Sequence, residues 1–501
     1  MKQTITWGFL LLAASTITAQ QRGDIVSFDS IQAYTAVDFG LEVETLTGLP
    51  GSILGSDYDF TVYRVLYYTQ DYHPDSLTIA SGLVCIPVNY ACPELGLMSY
   101  GHGLCLKNGQ VPSNNQPSNS YALICKGMAA NGFVGVAPDY IHMSQWASPG
   151  PQAFIHARTE ANSTIDLLRA ARTFCASKSI TLSGQVFLSG YSQGGNSTVA
   201  TAKVMQEEYP SEFNILGAVA GGGSYDLSGV CADSLTSITR KTPEKHSLPL
   251  VIRSLGVVYE DSLSAWGTGI TMENLIDTVF KSPYKEQLPV LLDRNDSNSD
   301  TGFLDSIPAR MIEDQWLIPF QADPNHFFRR LLADNDVDDW APQMPLVLYH
   351  SDADIENPYP NAVNTLALFE ANGAPDVTLN TVADMSHGEA GQFHVLFTLD
   401  YVKDKRQDCL TSVVDITNSS AVSLHLFPNP TSNVLHVSVS GAGHAAYSSI
   451  KLFNAAGELI SQSRINQQTA LDVSTLPSGM YLVSVEGDTG AKLMKLVVIS
   501  R

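Results

Sequence analysis

Residue types able to do nucleophilic chemistry stand in an informative order along this chain. Ser192 lies in VFLSGYSQGG between Gly190 and Gly194, Asp352 and Asp354 follow the apolar run of MPLVLYHSDAD, and His387 stands in MSHGEAGQFH. A serine hydroxyl is a weak nucleophile at neutral pH; it needs an imidazole to take its proton and a carboxylate to orient that imidazole. Serine, acid and histidine in that order, each just past a predicted strand, meet the need. The G-x-S-x-G pattern alone is weak, since a chain of this length contains roughly 0.2 such matches by chance. Context strengthens it: Val186, Phe187 and Leu188 read as a buried strand, and residues 196–208 read as a helix. Small residues flanking the serine permit a sharp strand-to-helix turn that lifts the hydroxyl clear and aims the Gln193 amide at whatever it attacks. Asp354 is preferred as the acid because it lies further into its loop and Pro358 then turns the chain into a helix; Asp352 remains a competitor. A second donor for the developing oxyanion is expected at YGHGLC, 100–105, where the Leu104 amide would join that of Gln193. His394 reads as a packing residue of the following helix.

The elements that must carry these groups are legible as alternation. DFTVYRVLYYTQ and LTIASGLVCIPVN read as paired strands; LGLMSY, GFVGVAPDY, VFLSG and FNILGAVAGGG follow as further strands, interspersed with helices such as TEANSTIDLLRAARTF. This rhythm predicts an α/β fold with a mostly parallel sheet covered on both faces, spanning 20–410. Residues 226–341 interrupt it with helix-rich sequence before a strand at 344–350, so they are expected to form a cap over the strand ends, where ligands bind in open α/β sheets. A polar stretch at 411–425 reads as a linker. Residues 426–501 carry short alternating runs broken by Pro, Asn and Gly, which predict a small β-sandwich without a catalytic cluster.

Bulk properties set limits. The 501 residues carry a formal charge of -22, which argues against nucleic acid or an anionic membrane as partner. Residues 1–19, MKQTITWGFLLLAASTITA, read as a signal peptide, too short to span a membrane, and no later run reaches about 18 apolar residues, so no transmembrane segment is expected. Seven cysteines leave at least one thiol without a partner in its own chain, and the lack of C-x-x-C argues against a thiol zinc site. DSNSDTG, 296–302, misplaces the glycine of a calcium loop and lacks its closing glutamate. No metal or cofactor is expected.

From about residue 60 to 400 the chain resembles secreted α/β-hydrolases of the secretory lipase and esterase group. The resemblance rests on SGLVCIPVN, MSYGHGL, VGVAPDY, IDLLRAAR, GYSQGG and LYHSDADIENPY. It implies a triad of Ser192, Asp354 and His387, an oxyanion hole from Leu104 and Gln193, and cleavage of carboxylic esters, whether lipid, small ester or esterified polymer, through an acyl-enzyme. Two departures stand out: IHMSQW puts His142 where the group carries glycine, bearing on the pocket wall, and the acid loop reads HSDAD. The tail, through FPNPTSN, GELI, LPSGMYLV and KLVVI, resembles the C-terminal sorting domain of type IX secretion cargo. That implies the type IX machinery as partner and a secreted or cell-surface location. The alternative reading is a secreted serine peptidase of the prolyl oligopeptidase-like type, disfavoured because no propeller-length region precedes the hydrolase domain. A non-enzymatic adhesin carrying a relic domain fits poorly with an intact Ser, Asp, His order.

Overall fold

Alternating and near-continuous apolar runs pair into one nine-stranded sheet: β1 (Ile25–Tyr34), β2 (Asp59–Gln70), β3 (Leu77–Val88), β4 (Leu95–Gly101), β5 (Val134–Pro138), β6 (Leu182–Tyr191), β7 (Asn214–Gly221), β8 (Leu346–Ser351) and β9 (Val377–Val382). A computed structural model describes residues 20–407 and 423–499, apart from 56, 91, 117, 294–300, 428–430, 441–446, 455–457, 466–467, 478 and 488–491. The stretch read as a signal peptide, Cys409, most of the stretch read as a linker and most of the calcium-like stretch lie outside the described residues. The strand order is β1-β2-β3-β5-β4-β6-β7-β8-β9. The pairs β1–β2, β2–β3 and β3–β5 are antiparallel and the rest are parallel.

Strands β4, β5 and β8 are buried along their whole length, as expected of strands covered on both faces. Successive side chains point to opposite faces. Leu97, Leu188, Ala218 and Leu348 pack with helices Ala157–Ser177, Gln193–Glu208 and Tyr359–Ala371, while Met98, Phe187, Val219 and Val347 pack with Ser120–Ala130 and His387–Lys405. Alternate positions along each strand therefore feed two separate cores.

Two local readings are corrected. The helix after Ser192 begins at Gln193 rather than at 196: Gly194 and Gly195, weak helix formers, are held in its first turn by neighbouring backbone. An edge strand, β1, and a helix, Ala36–Thr47, precede the first expected strand. Thr35 caps that helix through a reciprocal bond pair with Asp38, and Gly48 ends it at φ 69°.

Between β7 and β8 the chain forms helices, among them Ser247–Val258, Tyr284–Leu292, Asp314–Ala322 and Phe327–Ala333, around an apolar cluster that includes Leu255, Leu263, Phe280 and Met311 and takes in Phe154 and Ile155. In the C-terminal segment a three-stranded sheet faces a four-stranded one, both antiparallel, over a core of Leu435, Val437, Ile450, Val483 and Val497. Its first strand, Ser423–Phe427, begins inside the polar stretch expected to be linker.

Cys85, Cys105, Cys125, Cys175 and Cys231 are buried free thiols, and Cys92 is disulfide-bonded. Burial pushes the thiols of Cys105, Cys125, Cys175 and Cys231 well up, which makes them poor nucleophiles. Among the described residues no helix is long and apolar enough to cross a membrane.

Candidate active site

The apolar run of β6 ends at Tyr191, and Ser192 turns the chain into the helix at φ 61°, ψ -121°, a conformation L-residues seldom adopt. Close backbone approach holds it there. A Cβ on Gly190 would overlap the Gly194 carbonyl, one on Gly194 would overlap the Gly101 carbonyl, and the Ser192 amide donates to Gly221 O at 2.9 Å. As the first helical residue, Gln193 has no carbonyl within its own helix for its amide to bond. Leu104 lines the same pocket as Ser192 and Gln193, together with Ile155, Glu244 and Glu356.

Asp354 follows β8, and its loop folds back so that two backbone amides, Glu356 at 2.8 Å and Asn357 at 2.9 Å, donate to Oδ1. Its Oδ2 lies 2.6 Å from Nδ1 of His387 and 3.5 Å from Nε2 of His350. Burial alone would raise the Asp354 carboxyl, but the His387 bond and charge outweigh it and hold the group below the usual carboxylate range. Asp352 is exposed and accepts from the Asp384 amide at 2.8 Å instead. Of the two sequence candidates, Asp354 is the one that meets the imidazole.

His387 opens the helix His387–Lys405, which Ser386 and Glu389 cap reciprocally. The Tyr191 hydroxyl donates to the His387 carbonyl at 2.6 Å, tying this helix to the strand that carries Ser192. Burial works to lower the imidazole, yet Asp354 outweighs it and raises the group above its ordinary value. With Nδ1 donating to the carboxylate, Nε2 is left to accept a proton. Glu356 Oε2 stands 3.9 Å from that Nε2. Among the described residues no hydrogen bond joins Ser192 to His387.

Two other histidines, His394 and His142, are held by packing and by backbone bonds away from Asp354. His394 is buried against Tyr100, Tyr191 and Tyr349, where burial drives it down to about 3. His142 does not line this pocket; it bonds the Ser148 carbonyl and lies 3.2 Å from Asp71. Glu160, Glu244 and Glu356 went unremarked in the sequence. Glu356 could have been found from its place in the acid loop; nothing local marks the other two.

Residues 119–237 match the family model for Secretory lipase, and residues 425–500 match that for the Secretion system C-terminal sorting domain. The secreted triacylglycerol lipase LIP1 of Malassezia furfur is 23% identical over 382 residues, 71% of each chain. Among solved structures, the rice cell wall degrading esterase LipA from Xanthomonas oryzae superposes with a TM-score of 0.65 at 23% identity, covering 77% of this chain and 100% of that one. Candida antarctica lipase A in its closed state gives 0.56 at 18% identity, covering 80% and 88%. The fold is thus that of the α/β-hydrolases. More particularly, the central part of the chain is a carboxylic ester hydrolase of the lipase and esterase type, and its type IX sorting domain makes the protein a secreted or cell-surface one.

Proposed function

We propose that this protein is an exported serine hydrolase that cleaves carboxylic esters through an acyl-enzyme on Ser192. The observation that carries this reading is the 2.6 Å Asp354–His387 bond, which follows β8 and β9 at the same sheet end as the strained Ser192 turn after β6. The Ser192 hydroxyl swings onto His387 Nε2, which takes its proton as Oγ bonds the carbonyl carbon. The carbonyl electron pair moves onto oxygen, held by the Gln193 and Leu104 amides. Collapse breaks the ester C–O bond, and His387 returns the proton to the departing alcohol. Water then repeats the sequence and releases the acid.

The pocket around Ser192 shares Leu227, Leu235 and Val251 with an apolar cavity inside the helical insertion, lined also by Leu248, Ile252 and Phe320. This supports an acyl chain that runs from Ser192 into the cap formed by 226–341. Residues 1–19 would serve as signal peptide, 20–410 as hydrolase domain, 411–425 as linker and 426–501 as the domain that engages the type IX machinery.

The test is hydrolysis of p-nitrophenyl esters from acetate to palmitate by protein lacking residues 1–19, beside Ser192→Ala. Turnover by the parent and a loss of at least about 10⁴-fold in the variant are expected. Inertness of both proteins, or equal turnover by both, overturns the reading.

A further inference from the structure

Glu160, in the first turn of Ala157–Ser177, is 1% exposed and has no cationic partner among the described residues. One of its carboxyl oxygens does two things. Oε1 accepts the Ile155 amide at 2.9 Å and the Gln193 side-chain amide at 2.7 Å, while Oε2 is buried without a partner. Both donors belong to residues that line the Ser192 pocket. Ile155 is held at φ 60°, where a β-branched residue is a true outlier and persists only if its surroundings over-determine it. The hydrogen bond from its own amide to Glu160 is such a restraint.

We propose that Glu160 is a positioning residue for the hydrolysis, fixing Ile155 and Gln193 around Ser192 through one shared carboxyl oxygen. The inference rests on the serine hydrolase reading and deepens it. Burial pushes Glu160 up to about 8, against the smaller opposing effects of the Gln193 and Ile155 bonds, so the group is neutral at neutral pH. Tyr140 and His156 do not share this transition. Burial and Glu160 itself keep Tyr140 far above its ordinary value, and burial lowers His156 to about 4. Arg158, on the same helix, is paired with Glu208 at 2.5 Å. A protonated Glu160 puts no charge behind the Gln193 side chain. Losing that proton puts a negative charge behind Gln193, next to the oxygen that becomes negative in the transition state, so kcat/KM must fall as pH rises through about 8.

Glu160→Gln and Glu160→Leu separate placement from charge. The profile of kcat/KM against pH is measured for the parent and both variants with p-nitrophenyl butyrate, alongside the rate at which a fluorophosphonate probe labels Ser192. Glu160→Gln keeps an acceptor for both amides, so it is expected to retain turnover within about tenfold of the parent and to lose the alkaline decline. Glu160→Leu removes the acceptor and is expected to lose about 100-fold in kcat at every pH. An alkaline decline that persists unchanged in Glu160→Gln, or equal rates in the two variants, overturns the proposal. Should Glu160→Leu fail to fold, the profile of Glu160→Gln decides alone. The probe needs an activated serine but no ester. If no ester is turned over yet labelling follows the same order and pH dependence, the ester reading fails and the role of Glu160 stands. If ester turnover is robust while labelling and profiles are alike in all three proteins, Glu160 is merely structural.

Discussion

Replacing Val251 by Trp should cut the acyl chain off from the cap. Val251 is 4% exposed on helix Ser247–Val258 and lines both the serine pocket and the apolar cavity beyond it, so an indole at this position fills the passage between them. Each methylene that leaves water for an apolar wall gains about 0.8 kcal/mol. At about 1.36 kcal/mol per decade, that is about fourfold in kcat/KM per methylene if the gain is fully realised in the transition state. Octanoate has four methylenes more than butyrate, so the parent should prefer it by about 200-fold as an upper bound. In Val251→Trp those methylenes stay in solvent and the ratio should collapse toward one. The assay is kcat/KM for p-nitrophenyl butyrate and octanoate below the concentration at which the ester aggregates, each divided by the value for acetate. Overpacking commonly costs about 1–3 kcal/mol, so the melting temperature is followed in parallel. A folded Val251→Trp protein with the parent's octanoate-to-butyrate ratio would refute the route through the cap.

Two further outcomes test the acid and the base. Asp354→Asn, which leaves the imidazole without its orienting carboxylate, should lower kcat by about 10⁴-fold, whereas Asp352→Asn, at an exposed site away from His387, should stay within about twofold; the reverse order in steady-state kinetics would hand the acid role to Asp352. Glu356 is among the charges that raise His387, and a general base must be neutral to take a proton. Glu356→Gln should therefore move the acidic rise of kcat/KM to lower pH, and an upward or absent shift in the pH profile would show that Glu356 does not act on the imidazole.

Much of the site was legible because its chemistry forces residue types into a fixed order. Ser192 announced itself through Gly190 and Gly194, and those glycines are required by contacts that the strand-to-helix turn creates locally. The choice between Asp352 and Asp354 needed the structure, since the two stand on one loop and only the fold says which faces a helix beginning over thirty residues later. Strand β1 was missed because IVSFDSIQAY is exposed at most positions and exists as a strand only through pairing with β2. The helix starts at Gln193, ahead of the run of good helix formers, because backbone contacts that the sequence does not display hold Gly194 and Gly195 in its first turn. Glu160 was invisible for another reason. An acidic residue in the first turn of a helix is what dipole compensation ordinarily supplies, so nothing local distinguishes it from a solvated one.

The five unpaired thiols carry a consequence for how this protein reaches the outside of the cell. All five are shielded in the finished fold, so the native state needs no reducing agent to keep them apart. The unfolded chain has no such shelter and meets an oxidising environment with seven reactive sulfurs in play. Folding is itself the antioxidant step: whichever chains complete their sheet first escape scrambling, and a slow-folding variant would be lost to cross-linked species before its stability was ever tested.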